Sequence, residues 1–481
     1  MTDSVYRNHF TTIIARTLSA VIFISIWILY MTFSNEEELK VEYFLAVVAV
    51  LALAVFCVSW RIWKLTTYTF TDSELVVFKN TVWKAKVEIR YDRMASVQVV
   101  RGFWNMIFGT STLKFNVNSA VNSRNAEATL VLRKDLADEL RETINNRMFG
   151  KFTTSIQEDT DIPSMIRVTN TEVVIHSLLG QPTWSIVFSL LMLLYSVWGL
   201  ATGSAGNFII GAAMFVFTMA VPVVKVIIKY GNYRIYRIGD TITVHSGLFV
   251  TSRKSFKVGK VNSARMRSPL VPRMLGMCTL EAEVVGAMDD MGIPLICPLK
   301  KKAVVRDFMK QILPEFYLEE EVIHQGPVTL GIMAVKSVPA AAVWLAASLI
   351  IRDVYADDLD SIWLNVILII GIAGAAVILA YMASRYRVRT FSSGEKLFRI
   401  TRGGFDIADE YLMYDRVQIA GVSSGPIQRR YGLGTLRIMT LSSVGYRDIR
   451  SGIFPMDVIA QVPETVIGRI RDGRYDYREC P

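Results

Sequence analysis

At 481 residues the chain is too long for one ordinary domain, and 52% of it is hydrophobic, which is high for a soluble protein. Lys and Arg outnumber Asp and Glu by 53 to 43, a formal charge of +10. In a chain with apolar spans this balance favours topology signals or an anionic membrane surface over nucleic acid. The four cysteines, Cys57, Cys278, Cys297 and Cys480, form no CxxC pair and no metal-ligand spacing, which argues against a disulfide framework or a zinc site.

The first apolar run extends from Leu18 to Phe33 and the second from Val41 to Trp60, joined by Ser34-Asn35-Glu36-Glu37-Glu38. About 20 apolar residues cross a hydrocarbon core as a helix, so residues 13–60 are expected to form a transmembrane hairpin. The first run is followed by an acidic turn and a second span, and therefore reads as an anchor rather than a cleavable signal. A soluble segment, 65–150, follows. It opens with alternating β-branched and aromatic residues from Tyr68 and carries Tyr91-Asp92-Arg93. After the turn Gly109-Thr110-Ser111-Thr112-Leu113 it closes with an amphipathic helix over Lys134 to Met148.

The same order returns twice. Apolar runs Trp184 to Leu200 and Phe208 to Ile228 make a second hairpin (184–228), then a second soluble segment (231–316) begins at Tyr233. It carries Val258-Gly259-Lys260, the turn Gly276-Met277-Cys278-Thr279-Leu280 and a helix over Lys300 to Ile312. A third hairpin (328–382) pairs a run ending at Ile351 with Ile362 to Met382. The third soluble segment (384–475) is expected to start its strands at Tyr386. It carries Tyr414-Asp415-Arg416, the turn Gly432-Leu433-Gly434-Thr435-Leu436 and a helix over Met456 to Ile470 that Pro463 should interrupt. From Arg93 to Gly109, Lys260 to Gly276 and Arg416 to Gly432 the step is 16 residues each time, so the chain is a triplication. Gly at each turn suits a left-handed cap between a short apolar turn and the next strand.

Lys and Arg cluster beside the open ends of the hairpins: Arg7 and Arg16, Arg61 and Lys64, Lys229 and Arg234, Arg385, Arg387 and Arg389. The first and third tight connectors are acidic and the middle one is uncharged. The positive-inside rule then places both termini and all three soluble segments in the cytoplasm.

Strands closed by one helix, with this spacing, resemble the bacterial pleckstrin-homology-like domain of the second type, and three copies behind three hairpins resemble the YdbT-like membrane proteins. The resemblance implies membrane α-helical hairpins plus cytoplasmic all-β/α PH-like domains, each of two near-orthogonal sheets with a C-terminal helix, triplicated. It further implies a bacterial cytoplasmic membrane location, a small partner membrane protein bearing one such domain, and a role at the cell envelope. Repeat two departs from the pattern, with Val-Gly-Lys in place of Tyr-Asp-Arg. The family brings no catalytic residues.

Chemistry is sparse. His9, His176, His245 and His324 have no metal-ligand spacing, no nucleophile is placed beside a base, and no cofactor motif is complete, so the chain is expected not to be an enzyme and to need no cofactor. Repeat two holds the densest basic run, Arg253, Lys254, Lys257, Lys260, Arg265, Arg267 and Arg273, a candidate surface for anionic headgroups or a protein partner, weighed against a plain solvated face. Its few aromatics offer little to nucleic acid. Lys336, near Pro339, is the candidate intramembrane charge if the fifth span begins at Val328. The expected function is a membrane scaffold or adaptor, homo-oligomeric or not. The alternative is a six-span transport, lipid-moving or peptide-export device regulated by its cytoplasmic domains.

Overall fold

The computed structural model describes residues 4–34, 41–81, 84–91, 94–117, 128–149, 166–248, 251–284, 295–357, 360–442 and 445–473. Asn35 to Glu38, Asp92, Arg93, Asp358 and Cys480, and the ends of the first and third soluble segments, lie outside the described residues.

Repeat one contains β1 (Ser4–Tyr6), α1 (Thr11–Ser34), α2 (Val41–Leu65), β2 (Thr66–Phe70), β3 (Glu74–Asn80), β4 (Lys84–Arg90), β5 (Met94–Arg101), α3 (Phe103–Ile107), β6 (Thr110–Val117), β7 (Ala128–Arg133) and α4 (Lys134–Phe149). Repeat two contains β8 (Ile166–Arg167), α5 (Asn170–Leu179), α6 (Thr183–Ala201), α7 (Ala205–Phe215), α8 (Val221–Tyr230), β9 (Arg234–Ile238), β10 (Thr241–Ser246) and β11 (Thr251–Lys257). It continues with β12 (Val261–Ser268), α9 (Leu270–Met274), β13 (Met277–Val284), β14 (Leu295–Lys301) and α10 (Lys302–Ile312). Repeat three contains β15 (Ile323–His324), α11 (Pro327–Val354), α12 (Ser361–Val388), β16 (Thr390–Ser393), β17 (Leu397–Gly403) and β18 (Ile407–Met413). It ends with β19 (Val417–Ser423), α13 (Pro426–Arg430), β20 (Leu433–Ser442), β21 (Gly445–Pro455) and α14 (Met456–Arg471).

Five helical stretches among the described residues are long and apolar enough to cross a membrane: Ala46–Leu65, Thr183–Ala201, Ala205–Tyr230, Pro327–Val354 and Ser361–Val388. The apolar helix Ala205–Tyr230 carries a π turn over Val216–Ala220. The turn precedes Pro222, whose missing N–H cannot close the ordinary ladder, and the extra residue absorbs that break. Within helix pairs, glycine permits backbone contact. A Cβ on Gly211 would lie 2.6 Å from the Ser196 nitrogen, and one on Gly371 would lie 1.9 Å from the Ser348 hydroxyl. Gly203 and Gly206 meet no such neighbour.

The chain divides into two units, Met1–Arg167 with Ile228–Lys257, and Val168–Ile227 with Val258–Cys480. In the first, β1-β2-β3-β4 form one antiparallel sheet and β7-β6-β5-β11-β10-β9-β8 another. Leu75, Val77 and Ile89 from the first sheet, Val97, Leu113, Phe115 and Leu130 from the second and Ala137, Leu140 and Ile144 from α4 share one core. In the second unit the order is β14-β13-β12-β18-β17-β16-β15, with a separate β19-β20-β21 sheet. There Phe391, Phe398, Ile400, Leu412, Leu436, Ile438, Ile449 and Phe454 pack with Ile459, Val462 and Val466 of α14. The repeats are thus joined by sheets that run on from one to the next.

The repeated glycines behave alike. Gly109, Gly276 and Gly432 sit at φ +63°, +66° and +63°, after α3, α9 and α13. Their carbonyls accept the first N–H of the closing helix, from Lys134 (3.1 Å), Lys302 (2.9 Å) and Met456 (2.8 Å). One left-handed residue therefore ends a turn, starts a strand and holds a helix.

Two expectations are corrected. Tyr386 is helical, because α12 runs on to Val388; Arg385 and Arg387 are good helix formers and extend the helix past its apolar part. Pro463 lies inside a continuous α14. It forfeits one backbone bond, but Ile459, Val462 and Val466 stay buried on the core side and tertiary packing carries the helix.

Candidate functional site

In the second unit, strand period and helix ends bring arginines from distant positions to one place. Arg265 and Arg267 alternate along β12 and so share a face. Arg402 lies on β17, Arg450 on β21, and Arg389 caps α12. These five line a cavity of about 440 Å³ together with Asp406 and Asp448. A second cavity, about 370 Å³, is lined by Lys336, Arg385, Arg389 and Arg450, with Tyr381, Gln428 and Ser451. Arg389 and Arg450 belong to both, so the two adjoin.

Charges around the first cavity are partly matched. Arg265 donates to Glu281 (2.7 Å from Nε), Arg402 to Glu410 (2.9 Å) and Arg450 to Asp448 (3.0 Å). The second is more weakly compensated. Among the described residues Arg389 donates only to the carbonyls of Gly403 and Ser451, each at 3.4 Å. Arg385 lies over the Tyr381 ring at 5.6 Å, and its buried Nε has no hydrogen-bond partner among the described residues. Burial, then the neighbouring Arg385 cation, pushes Arg389 down to about 10. This is a site with positive potential to spare, suited chemically to a phosphate or carboxylate.

The basic run of repeat two is distributed rather than gathered. Arg265 and Arg267 line the first cavity. Arg273, on α9, donates to Ser384 Oγ (3.4 Å) and the Gly404 carbonyl (3.3 Å), bracing the loop beside it. Lys260 lies in the short turn before β12. Arg253, Lys254 and Lys257 lie on β11 in the other unit, with Lys254 buried opposite Gln98. Lys336 is ten residues into α11, exposed, and lines the second cavity beside residues of the third soluble segment.

Sequence reasoning missed Arg402 and Arg450, which sit on alternating strands without a local motif, and read Arg385 and Arg389 as topology signals alone. Asp415 proves local: it pairs with Arg469 of α14 (2.7 Å), whose guanidinium lies 5.1 Å from the Tyr414 ring. In repeat one Arg147 takes the same role over Tyr91, at 5.7 Å. Arg416 donates to the carbonyl of Gly259, so it ties repeat three to repeat two.

No curated protein and no solved structure matches the chain. The model of the bacterial PH domain family matches it three times, over residues 14–148, 187–312 and 334–469, each match taking in a helix pair and the soluble segment behind it. These matches cover most of the chain, which is a triplicated member of the bacterial PH domain family.

Proposed function

We propose that the protein is a membrane-anchored adaptor whose third hairpin and third PH-like domain together hold an anionic lipid headgroup at the cytoplasmic surface. The observation that carries this is the second cavity. Its cations come both from the apolar helices (Lys336, Arg385) and from the soluble domain (Arg450), with Arg389 at the hinge between them. A headgroup phosphate there would neutralise Arg385 and Arg389, which have no carboxylate partner among the described residues, while its acyl chains ran along α11 and α12. Basic residues near an anionic leaflet gain about 1 kcal/mol each. The basic flanks of the hairpins support a cytoplasmic placement of the domains. Binding of a membrane-protein partner through the remaining domain surfaces completes the adaptor reading.

Native mass spectrometry of the full chain, released from nanodiscs of mixed phosphatidylglycerol and phosphatidylcholine, tests it. Retained phosphatidylglycerol should fall at least fivefold in Arg389→Gln/Arg450→Gln and be unchanged in Arg471→Gln, an exposed control at the end of α14. Equal retention in all three would refute the site.

A further inference from the structure

The two places where one repeat's sheet joins the next follow one rule. In repeat one β5 pairs with β11 of repeat two, Thr251 opposite Arg101 and Lys254 opposite Gln98. In repeat two β12 pairs with β18 of repeat three, Ile407 opposite Ser268 and Glu410 opposite Arg265. Counted from the start of each strand, first meets eighth and fourth meets fifth at both junctions, so the register is the same. A third repeat therefore leaves one half of this interface unused at each end of the series. Strand β4, the counterpart of β11 and β18, pairs only with β3 among the described residues; β19, the counterpart of β5 and β12, pairs only with β20.

Exposure follows pairing. Ser263 on β12 is fully buried against its neighbour, whereas Ile419 in the same place on β19 is 56% exposed. Glu410 on β18 is 0% exposed, whereas its counterpart on β4, Val87, is half-buried. Open edges are usually guarded by charge. Strand β19 has none from Val417 to Ser423, and its bulge between Val417 and Ile419 recurs at the same place in β5 and β12, which pair onward all the same. Strand β4 carries Lys84, Lys86, Glu88 and Arg90; Lys86 pairs with Glu88, and Arg253 and Asp409 occupy its position in the strands that are paired.

We infer that β19 of one copy pairs with β4 of a second copy, in the register of the two internal junctions, so that the series of sheets continues from chain to chain. Val87 then faces Gly421, Glu88 faces Ala420, and Lys84 faces Ser424. A second copy is the occupant because the chain itself carries both complementary halves, in the arrangement that it already uses twice. Such pairing is head-to-tail, and it builds rings or rows rather than two-fold dimers. It stands independently of headgroup binding.

Directly opposed strand residues have Cβ atoms about 4.5–5.5 Å apart, nearest at the non-hydrogen-bonded sites, and a disulfide needs about 3.5–4.5 Å; these sites alternate along the ladder, so one of two successive pairs is within reach. Gly421 accepts a side chain, since a Cβ there meets nothing within 4 Å. Two differently tagged full-length chains, one with Val87→Cys and the other with Gly421→Cys, both with Cys57→Ala and Cys480→Ala, are produced together and oxidised in native membranes. The pair Glu88→Cys with Ala420→Cys is tested in parallel. Expected is a covalent product carrying both tags, at least tenfold above that from the out-of-register pair Lys84→Cys with Ala420→Cys. Adding Ile419→Lys, at a side chain exposed in the single chain, should reduce the product at least tenfold while thermal stability is kept. Equal yield from matched and mismatched pairs overturns the inference, and so does capture by Gly421→Cys of a different protein in place of a second copy.

Discussion

The two internal junctions share a register and differ in chemistry. At the second, buried carboxylates and guanidiniums interlock: Glu410, 0% exposed, accepts from Arg402 and Arg447, and Glu283, 1% exposed, accepts from Arg447 (3.0 Å) and Ser442 (2.7 Å). At the first, hydroxyls and amides take that place. Gln98 donates to Ser252 (3.0 Å), Arg141 to Ser255 (3.1 Å), and Thr243 shares a hydrogen bond with Ser255 (3.0 Å). Around them gather Arg141, Arg253 and His245. Main-chain pairing thus sets how repeats join, while the side chains between them are free to become a paired ionic layer in one place and a cationic one in another.

The comparison breaks most sharply at the fourth position of the strand. Glu410→Gln should cost about 3–5 kcal/mol, the usual loss when one partner of a buried ionic network is removed, read by chemical unfolding of the detergent-solubilised protein. A loss below about 1 kcal/mol would show the network to be inessential.

Acid should weaken the first junction. His245 is pushed down to about 3 by burial, then by Arg253, Arg141 and Arg234. Its folded pKa lies below the unfolded value of about 6.5, so the folded state holds it neutral while the unfolded chain takes up a proton. The contribution is fully present above pH 6.5 and is lost as pH falls from there towards 3, at up to about 1.4 kcal/mol per pH unit for one proton. Hydrogen exchange across residues 241–257 should accelerate over that window, and His245→Gln should flatten the response. The same slope in the variant would assign it elsewhere.

The smallest effect is expected at Lys254, which holds the position of Glu410 in the first junction. Lys254→Met keeps the volume while removing the buried ammonium, so stability should change by less than about 1 kcal/mol. A loss as large as that of Glu410→Gln would erase the contrast.

What the sequence discloses tracks the range of the interaction. The glycine turns and closing helices are local, and equal spacing exposed them. The capping box of α5, Thr169 with Glu172, is equally local, but no second copy of it called attention to that segment. The junctions are a different matter. Gln98 meets Lys254 and Arg265 meets Glu410 across some 150 residues, and alternation within a strand does not tell which edge will find it. The same holds for the cavities: Arg265, Arg389 and Arg450 come together only once the strands are paired. The basic run of repeat two drew notice by density, yet a sheet alternates faces and the chain passes from one unit to the other at Lys257, so contiguity in sequence did not become a surface.

Sheets continue from repeat to repeat in one register. Hydrogen exchange on the full chain in nanodiscs tests it most directly, comparing residues 251–257 and 407–413 with the outer strands β7 and β14, each of which has a single strand neighbour among the described residues. Paired on both sides, β11 and β18 should exchange their amides at least tenfold more slowly than β7 and β14. Exchange as fast as in those outer strands would mean that the repeats are separate domains, and the account would fail.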